Sequence, residues 1–175
     1  MNIKNVFTKK ERFTRHMSNK ILVIVPVYNC AKHITRLLEN LPSEFHEYID
    51  TLLVINNKSL DNTEEAAKEV LKTVSGIKCV LLTNKQNYGY GGSLKIGFEF
   101  AIRNNFDWVI AINGDDQSPL SDFTPMLKSE EYKNNDVMWG SRFLRGATLK
   151  NYSIARIAAN YIFNFIFSLA VKEPV

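Results

Sequence analysis

The chain has 175 residues, 45% of them hydrophobic and 23% charged, the balance of one folded domain with a sizeable core. That excludes a disordered tail, a collagen or a coiled-coil rod. No apolar run approaches the roughly 18 uncharged residues of a membrane-spanning helix, the opening Met1-Asn2-Ile3-Lys4 lacks the apolar stretch of a secretory signal, and two widely spaced cysteines, Cys30 and Cys79, predict neither a disulfide nor a four-ligand zinc site.

The net charge of +4 is unevenly spread. Residues 1–20 carry six basic side chains and one acidic, and are read as a basic mobile arm. Residues 21–136 carry eleven basic and sixteen acidic; residues 137–175 carry five basic and one acidic. A nucleic-acid reader shows a basic stripe across its folded body. An acidic body with basic ends instead fits a membrane surface or an anionic ligand.

Beyond the arm, Ile21-Leu22-Val23-Ile24-Val25 is a continuous apolar, β-branched run stopped by Pro26. Ile34, Leu37, Leu38 and Leu41 then recur at helical spacing. A second run, Thr51–Ile55, precedes a second helical pattern at Ala67, Val70, Leu71 and Val74, with Asp61 and Glu64 as its capping pair and Gly76 closing it. A third run, Ile77–Leu82, precedes a third pattern at Leu94, Gly97, Phe98, Ala101 and Ile102. The fourth run is Trp108–Ile112. Runs without polar alternation predict strands buried on both faces of a parallel sheet, and strand followed by helix, repeated, predicts an α/β fold.

In such sheets ligands bind beyond the carboxyl ends of the strands. Those ends read Pro26-Val27-Tyr28-Asn29, Asn56-Asn57-Lys58-Ser59, Thr83-Asn84-Lys85-Gln86-Asn87 and Asn113-Gly114-Asp115-Asp116-Gln117. Asp115 directly follows a buried strand, with Gln117 two residues on and Asn113 two before. Mg²⁺ or Mn²⁺ takes such oxygen ligands, one or two carboxylates being completed by substrate phosphates; an Asx-rich turn before Pro119 is the metal-free alternative. Asn87-Tyr88-Gly89-Tyr90-Gly91-Gly92-Ser93 opens a helix and allows close backbone approach to a phosphate, or equally serves tight packing. It lacks the third glycine of the dinucleotide fingerprint and the Gly-Lys-Ser/Thr of a triphosphate loop.

Residues 137–172 hold Arg142, Arg145, Lys150, Arg156 and Lys172 and no acidic side chain. From residue 154, Arg156, Asn160, Asn164 and Ser168 form a narrow polar stripe at i+4 spacing. Ile154, Ile157, Tyr161, Ile162, Phe165, Ile166 and Leu169 surround it. Such a helix either packs in a core or lies in a membrane interface, being short for a comfortable span. His16, His33 and His46 have no carboxylate or nucleophile at catalytic spacing and are read as surface residues.

Together the strand ends resemble a family 2 glycosyltransferase of the GT-A type, and within it the polyprenyl-phosphate (dolichyl-phosphate) sugar synthases. The likeness covers residue 21 to about 165. Val25-Pro26-Val27-Tyr28-Asn29 is similar to the family's first strand end, with Cys30 where a Glu is frequent. Asn56-Asn57-Lys58-Ser59-Leu60-Asp61-Asn62-Thr63 falls on Asp-Asp-Gly-Ser-Thr-Asp-Gly-Thr. Asn87-Tyr88-Gly89-Tyr90-Gly91-Gly92 falls on Asn-x-Gly-x-Gly, and Asn113 to Gln117 on Asp-x-Asp-Gly-Gln. Gly140-Ser141-Arg142-Phe143 falls on Gly-Ser-Arg-Tyr/Phe, and Arg156 on a later arginine before a hydrophobic helix.

The resemblance implies a Rossmann-like GT-A domain over residues 21–175, cut short at its C-terminal end where relatives continue. It implies an inverting transfer of sugar from a nucleotide-diphosphate donor to a polyprenyl phosphate, at the cytoplasmic face of a membrane and without nucleic acid. Pro26, Tyr28, Ile55, Asn56, Asn57, Asn87 and Gly114 then meet the nucleotide. Asp115, with Gln117 and Asn113, holds Mg²⁺ or Mn²⁺, and Asp115, Arg142 and Arg156 are the catalytic candidates. Asn56 and Asn57 in place of the Asp pair alter base preference, and Asn113 in place of the first metal-motif Asp weakens metal affinity. A glycan hydroxyl as acceptor, or a non-catalytic nucleotide-sugar binding module, are the alternatives.

Overall fold

The computed structural model describes residues 19–115, 120–138, 140 and 153–172. The chain divides into two compact units, Met1–Glu131 and Tyr132–Val175.

The first unit is built on a four-stranded sheet. Its strands are β1 (Ile21–Val27), β2 (Thr51–Asn56), β3 (Lys78–Thr83) and β4 (Trp108–Ala111). Their order is β3-β2-β1-β4 and every pairing is parallel. β1 and β2 lie inside the sheet, so both of their faces are covered and every residue is buried. β3 and β4 are edge strands among the described residues, and most of their side chains are half-buried or exposed, which corrects the expectation of four fully buried strands. Two aspartates fix the start of β1: Asp50 Oδ2 accepts from Ile21 N at 2.8 Å and Asp107 Oδ2 from Lys20 N at 3.1 Å.

Helices α1 (Ala31–Glu39), α2 (Thr63–Leu71) and α3 (Gly89–Arg103) cross between successive strands, and the short α4 (Thr124–Ser129) follows β4. α1 buries Ile34, Leu37 and Leu38, the predicted stripe. Leu22 and Ile24 of β1, Leu53 and Ile55 of β2 and Ala101 of α3 form one core cluster, with Leu94, Ile96, Phe100, Phe106, Val80, Leu82 and Val109 packed on it. The fully buried residues of α3 are Ser93, Gly97 and Ala101; of the predicted stripe Leu94, Gly97 and Ala101 meet the core, whereas Phe98 and Ile102 are exposed. Small residues win there because the helix lies close to β1. A Cβ on Gly97 would fall 2.6 Å from Ile24 Cδ1, well inside contact distance.

The caps of α2 also differ from expectation. Asp61 accepts from the backbone N–H and hydroxyl of Thr63, and Glu64 is turned to Asn56 and Lys68 rather than back to a cap. The helix ends at Leu71, and Gly76, at φ 77°, serves the turn ahead of β3, where a Cβ would strike His46. Thr63 Oγ1 accepts from Cys30 N at 2.8 Å and Asp61 Oδ2 from Ala31 N at 3.5 Å, so the loop before α2 satisfies the first N–H groups of α1.

In the second unit, α5 (Ile154–Val171) begins at Ser153, whose hydroxyl accepts from Arg156 N. It has 18 residues, a mean hydropathy of 1.6 and no buried residue. By length and composition it is long and apolar enough to cross a membrane, which corrects the expectation that no segment reaches that size. At 1.5 Å per residue it is about 27 Å long.

Candidate active site

The sheet order sets where a ligand can sit. β1 leads to β2 and β3 on one side, and β4 returns to the other side of β1. The chain therefore reverses direction between β1 and β4, and a crevice opens beyond their carboxyl ends. A cleft of about 430 Å³ lies there, lined by Pro26, Val27, Tyr28 and Cys30 after β1, Asn57 after β2, Asn87, Gly89, Tyr90 and Ser93 at the start of α3, and Asn113, Gly114 and Asp115 after β4.

The β1 and β4 ends are locked together by backbone. Ile112 N donates to Ile24 O at 3.0 Å and Gly114 N to Pro26 O at 3.2 Å. Asp115 is thereby held at the rim one residue past the last of these bonds. The loops after β1 and β2 are laced in turn. Asn29 N donates to Ser59 Oγ at 3.1 Å, and Leu60 N to Asn29 Oδ1 at 2.8 Å.

The floor is a carboxamide network. Asn57, Asn84 and Ser93 are buried. Asn57 Oδ1 accepts from Tyr88 N and from Asn84 Nδ2, both at 2.9 Å; Asn84 Nδ2 also donates to Ser93 Oγ at 3.2 Å. Asn57 Nδ2 donates to Asn87 Oδ1 at 2.7 Å, and Asn87 Oδ1 also accepts from Gly89 N at 2.8 Å. Gly89 stands at φ 71° with open space around its Cβ position, so conformation rather than room favours glycine there.

Of the residues assigned from sequence, Pro26, Tyr28, Asn57, Asn87, Asn113, Gly114 and Asp115 share this cleft. Ile55 and Asn56 do not line it. Ile55 belongs to the core, and the Asn56 carboxamide is directed inward, donating to Glu64 Oε2 at 3.1 Å and accepting from Ser59 N at 3.0 Å. Gln117 and Arg142 lie outside the described residues. Arg156 is exposed in the first turn of α5. Sequence reasoning did not assign Cys30, Tyr90 and Ser93 to the site, nor Asn84 beneath it. For Asn84 the signal was its place at the end of the third strand; for Cys30, its position beside Tyr28 and Asn29.

The cleft's electrostatics are simple. Burial pushes the Cys30 thiol up, and the Asp61 and Asp115 charges add to that against the lowering contact with the Tyr28 backbone, so Cys30 is a neutral thiol at neutral pH. Asp115 is the acidic group lining the cleft among the described residues. Among the described residues no three His, Cys, Asp or Glu side chains cluster as a metal site. The Asp115 carboxylate and the Asn113 carboxamide give an oxygen donor set, which fits a hard divalent cation whose remaining ligands come from a bound phosphate or water.

The family model for glycosyl transferase family 2 matches residues 22–174. The chain belongs to that family. Its fold is the family's GT-A, Rossmann-like fold, with a parallel sheet flanked by helices. An uncharacterized protein of Methanocaldococcus jannaschii is 29% identical over 152 residues, covering 86% of this chain and 62% of its own length. UDP-N-acetylglucosamine–dolichyl-phosphate N-acetylglucosaminyltransferase of Methanococcus voltae is 24% identical over 161 residues, 86% of this chain and 63% of that protein. Dolichol-phosphate mannosyltransferase of Pyrococcus furiosus is 25% identical over 137 residues, 78% and 37% of the two chains. The solved mannosyltransferase of Pyrobaculum calidifontis, in complex with GDP-Man and Mn²⁺, superposes with a TM-score of 0.46 over 54% of this chain and 27% of that one, at 22% identity. The chain spans about three fifths of the length of the first two of these relatives.

Proposed function

We propose that this chain is the donor-binding part of an inverting glycosyltransferase that moves a sugar from a nucleotide diphosphate to a polyprenyl phosphate at a membrane surface. Residues 21–175 form the transferase domain, and residues 1–20 are a basic arm. One observation carries the reading. The switch-point crevice of a family 2 fold gathers Pro26 and Tyr28, Asn57 and Asn87, and Asp115 around a single cleft. Two relatives are named as transferases acting on dolichyl phosphate, which supports the lipid-phosphate acceptor.

In this reading Tyr28, Asn57 and Asn87 bind the nucleoside, and the α3 start approaches the diphosphate. Asp115 and Asn113 hold Mg²⁺ or Mn²⁺, with Gln117 as a third oxygen ligand. When bound, the cation supplies positive charge against the diphosphate. An oxygen of the acceptor phosphate gives its electron pair to the anomeric carbon on the side opposite the leaving group. The bond from that carbon to the diphosphate oxygen breaks, and the nucleoside diphosphate departs with the bonding pair. A phosphate acceptor is anionic at neutral pH, so the step needs no general base. Arg142 and Arg156 offset phosphate charge, each through a planar fork of donors.

The test is release of nucleoside diphosphate by the full-length protein from a panel of nucleotide sugars, with Mg²⁺ or Mn²⁺, without acceptor, with a polyprenyl phosphate in detergent, and with a glycan acceptor. Release that depends on the lipid phosphate is the expected result. Release only with a glycan acceptor would replace the lipid by a sugar hydroxyl. Donor binding with no release on either acceptor would reduce the protein to a nucleotide-sugar binding module.

A further inference from the structure

The carboxamides on the cleft floor have their orientation set by groups that can only donate. A backbone N–H has no acceptor capacity, so the atom facing Tyr88 N at 2.9 Å is the Asn57 oxygen, and the atom facing Gly89 N at 2.8 Å is the Asn87 oxygen. Asn84 Nδ2 fills the second acceptor position of Asn57 Oδ1, and Asn57 Nδ2 fills the second of Asn87 Oδ1. Both oxygens are therefore saturated. Among the described residues, what remains uncommitted is one N–H of Asn57 and both N–H groups of Asn87, on two neighbouring residues of the cleft wall. A carboxamide is able to donate and accept in general; this pair is able only to donate. Asn57 is 5% exposed, so an N–H left unmatched there under a bound ligand carries a desolvation cost.

We infer that Asn57 and Asn87 form a donor-only wall that selects a nucleotide base offering two adjacent acceptor atoms, cytosine through N3 and O2 or guanine through N7 and O6, over uracil and adenine. Uracil separates its two carbonyl oxygens by the N3–H, which would face the wall's N–H groups. Adenine sets its 6-amino donor beside both N1 and N7. This rests on the reading that the cleft takes the donor's nucleoside, and it names the donor class within that reading. It also says why asparagine at position 57 differs from aspartate. An aspartate would accept from Tyr88 N and Asn84 with one oxygen and present its other oxygen to the ligand, while repelling the Asn87 oxygen now 2.7 Å away.

The experiment is calorimetric binding of CDP, GDP, UDP and ADP to the unmodified full-length protein with Mg²⁺ present, repeated with Asn57→Asp and Asn57→Ala. CDP or GDP should bind at least about tenfold more tightly than both UDP and ADP. Asn57→Asp should shift the ratio towards UDP by about tenfold, and Asn57→Ala should flatten the ranking. Circular dichroism establishes that each variant is folded, and the unmodified protein's ranking decides the matter even if neither is. UDP or ADP binding as tightly as the better of CDP and GDP overturns this inference and leaves the transferase reading standing. Binding of none of the four overturns both.

Discussion

Gly114 lies against Val27 so closely that a Cβ on it would fall 2.4 Å from the valine Cγ1 and 3.0 Å from the Pro26 carbonyl oxygen. The Gly114 backbone, just past β4, packs directly on the Val27 side chain and the Pro26 carbonyl at the end of β1. Because Asp115 follows Gly114 directly, this contact sets how far the carboxylate stands from Tyr28 across the cleft. Gly114→Ala should therefore destabilise the protein by about 1–3 kcal/mol, the usual cost of forcing extra volume into a packed contact. It should also weaken metal-dependent nucleotide binding beyond what the stability loss explains. Urea unfolding together with calorimetry on the folded variant separates the two effects; unchanged values in both would mean that the strand ends part without cost.

Asp115 itself is partly exposed at the rim and carries little packing. Asp115→Ala should change stability by no more than about 0.5 kcal/mol, the range of surface substitutions. It should abolish Mg²⁺- or Mn²⁺-dependent binding of a nucleoside diphosphate, since it is the one carboxylate lining the cleft among the described residues. Isothermal titration with and without EDTA reads this directly. Metal-dependent binding that survives would move the metal away from Asp115.

How far this site was legible in the sequence depends on which physical rule governed each residue. β1 and β2 were readable because strands covered on both faces draw on β-branched and apolar residues throughout, as in Ile21–Val25 and Thr51–Ile55, where Thr51 is the single polar position. The inward face of α3 was legible in part: Leu94, Gly97 and Ala101 of the predicted stripe pack inward, whereas Phe98 and Ile102 are exposed and Ser93 is buried in their stead, because closeness to β1 selects small residues there. Asn56 and Asn57 look equivalent in sequence. Successive residues at a strand end point to opposite faces, so one carboxamide turns to Glu64 while its neighbour turns to Asn84 and the cleft. The size of α5 was underestimated because Arg156 interrupts the apolar run one turn in, whereas the helix as a whole keeps a mean hydropathy of 1.6.

The β2–α2 junction should give the protein an acid-sensitive component of stability. The Glu64 carboxyl is held below its ordinary value by the Lys68 ammonium first, then by Thr83, with Asn56 adding to it. The Asp61 carboxyl is also lowered; burial raises it, and the Thr63 hydroxyl and N–H outweigh that. A depressed folded-state pKa means that the unfolded chain takes up protons first. The stabilisation is present above the ordinary carboxylate range and is lost as pH falls through the lowered values. Glu64→Gln should cost about 0.5 kcal/mol at pH 6, a small figure because the Glu64–Lys68 pair is partly exposed to solvent. That cost should fall away as pH drops through the lowered Glu64 value, where the wild-type carboxyl is protonated as well. Unfolding curves of both proteins across that range check it; a pH-independent difference would assign the effect to packing.

α5 should bring the protein to an anionic membrane surface. Its half-exposed positions include Asn160, Asn164 and Ser168, while Tyr161, Ile162, Phe163, Phe165, Ile166 and Leu169 are each about three-fifths exposed or more. Arg156 is exposed as well, and no residue of the helix is buried, so its apolar side chains stand open, unlike those of a helix that serves a water-facing domain. Phe163 and Phe167 stack at 5.8 Å among them. No acidic side chain occurs from residue 137 to 172, and five basic ones do. Against an anionic bilayer, each basic residue near the surface adds on the order of 1 kcal/mol, and burial of the aromatic face adds to that. The protein should bind anionic liposomes and bind less as salt rises. Deleting residues 153–175 should remove most of the binding, whereas deleting residues 1–20 should remove only a salt-sensitive part. A protein that ignores anionic liposomes at low salt, or binds them equally well without residues 153–175, would place the apolar face of α5 against protein instead. The glycan-acceptor alternative would then stand ahead of the lipid-phosphate one.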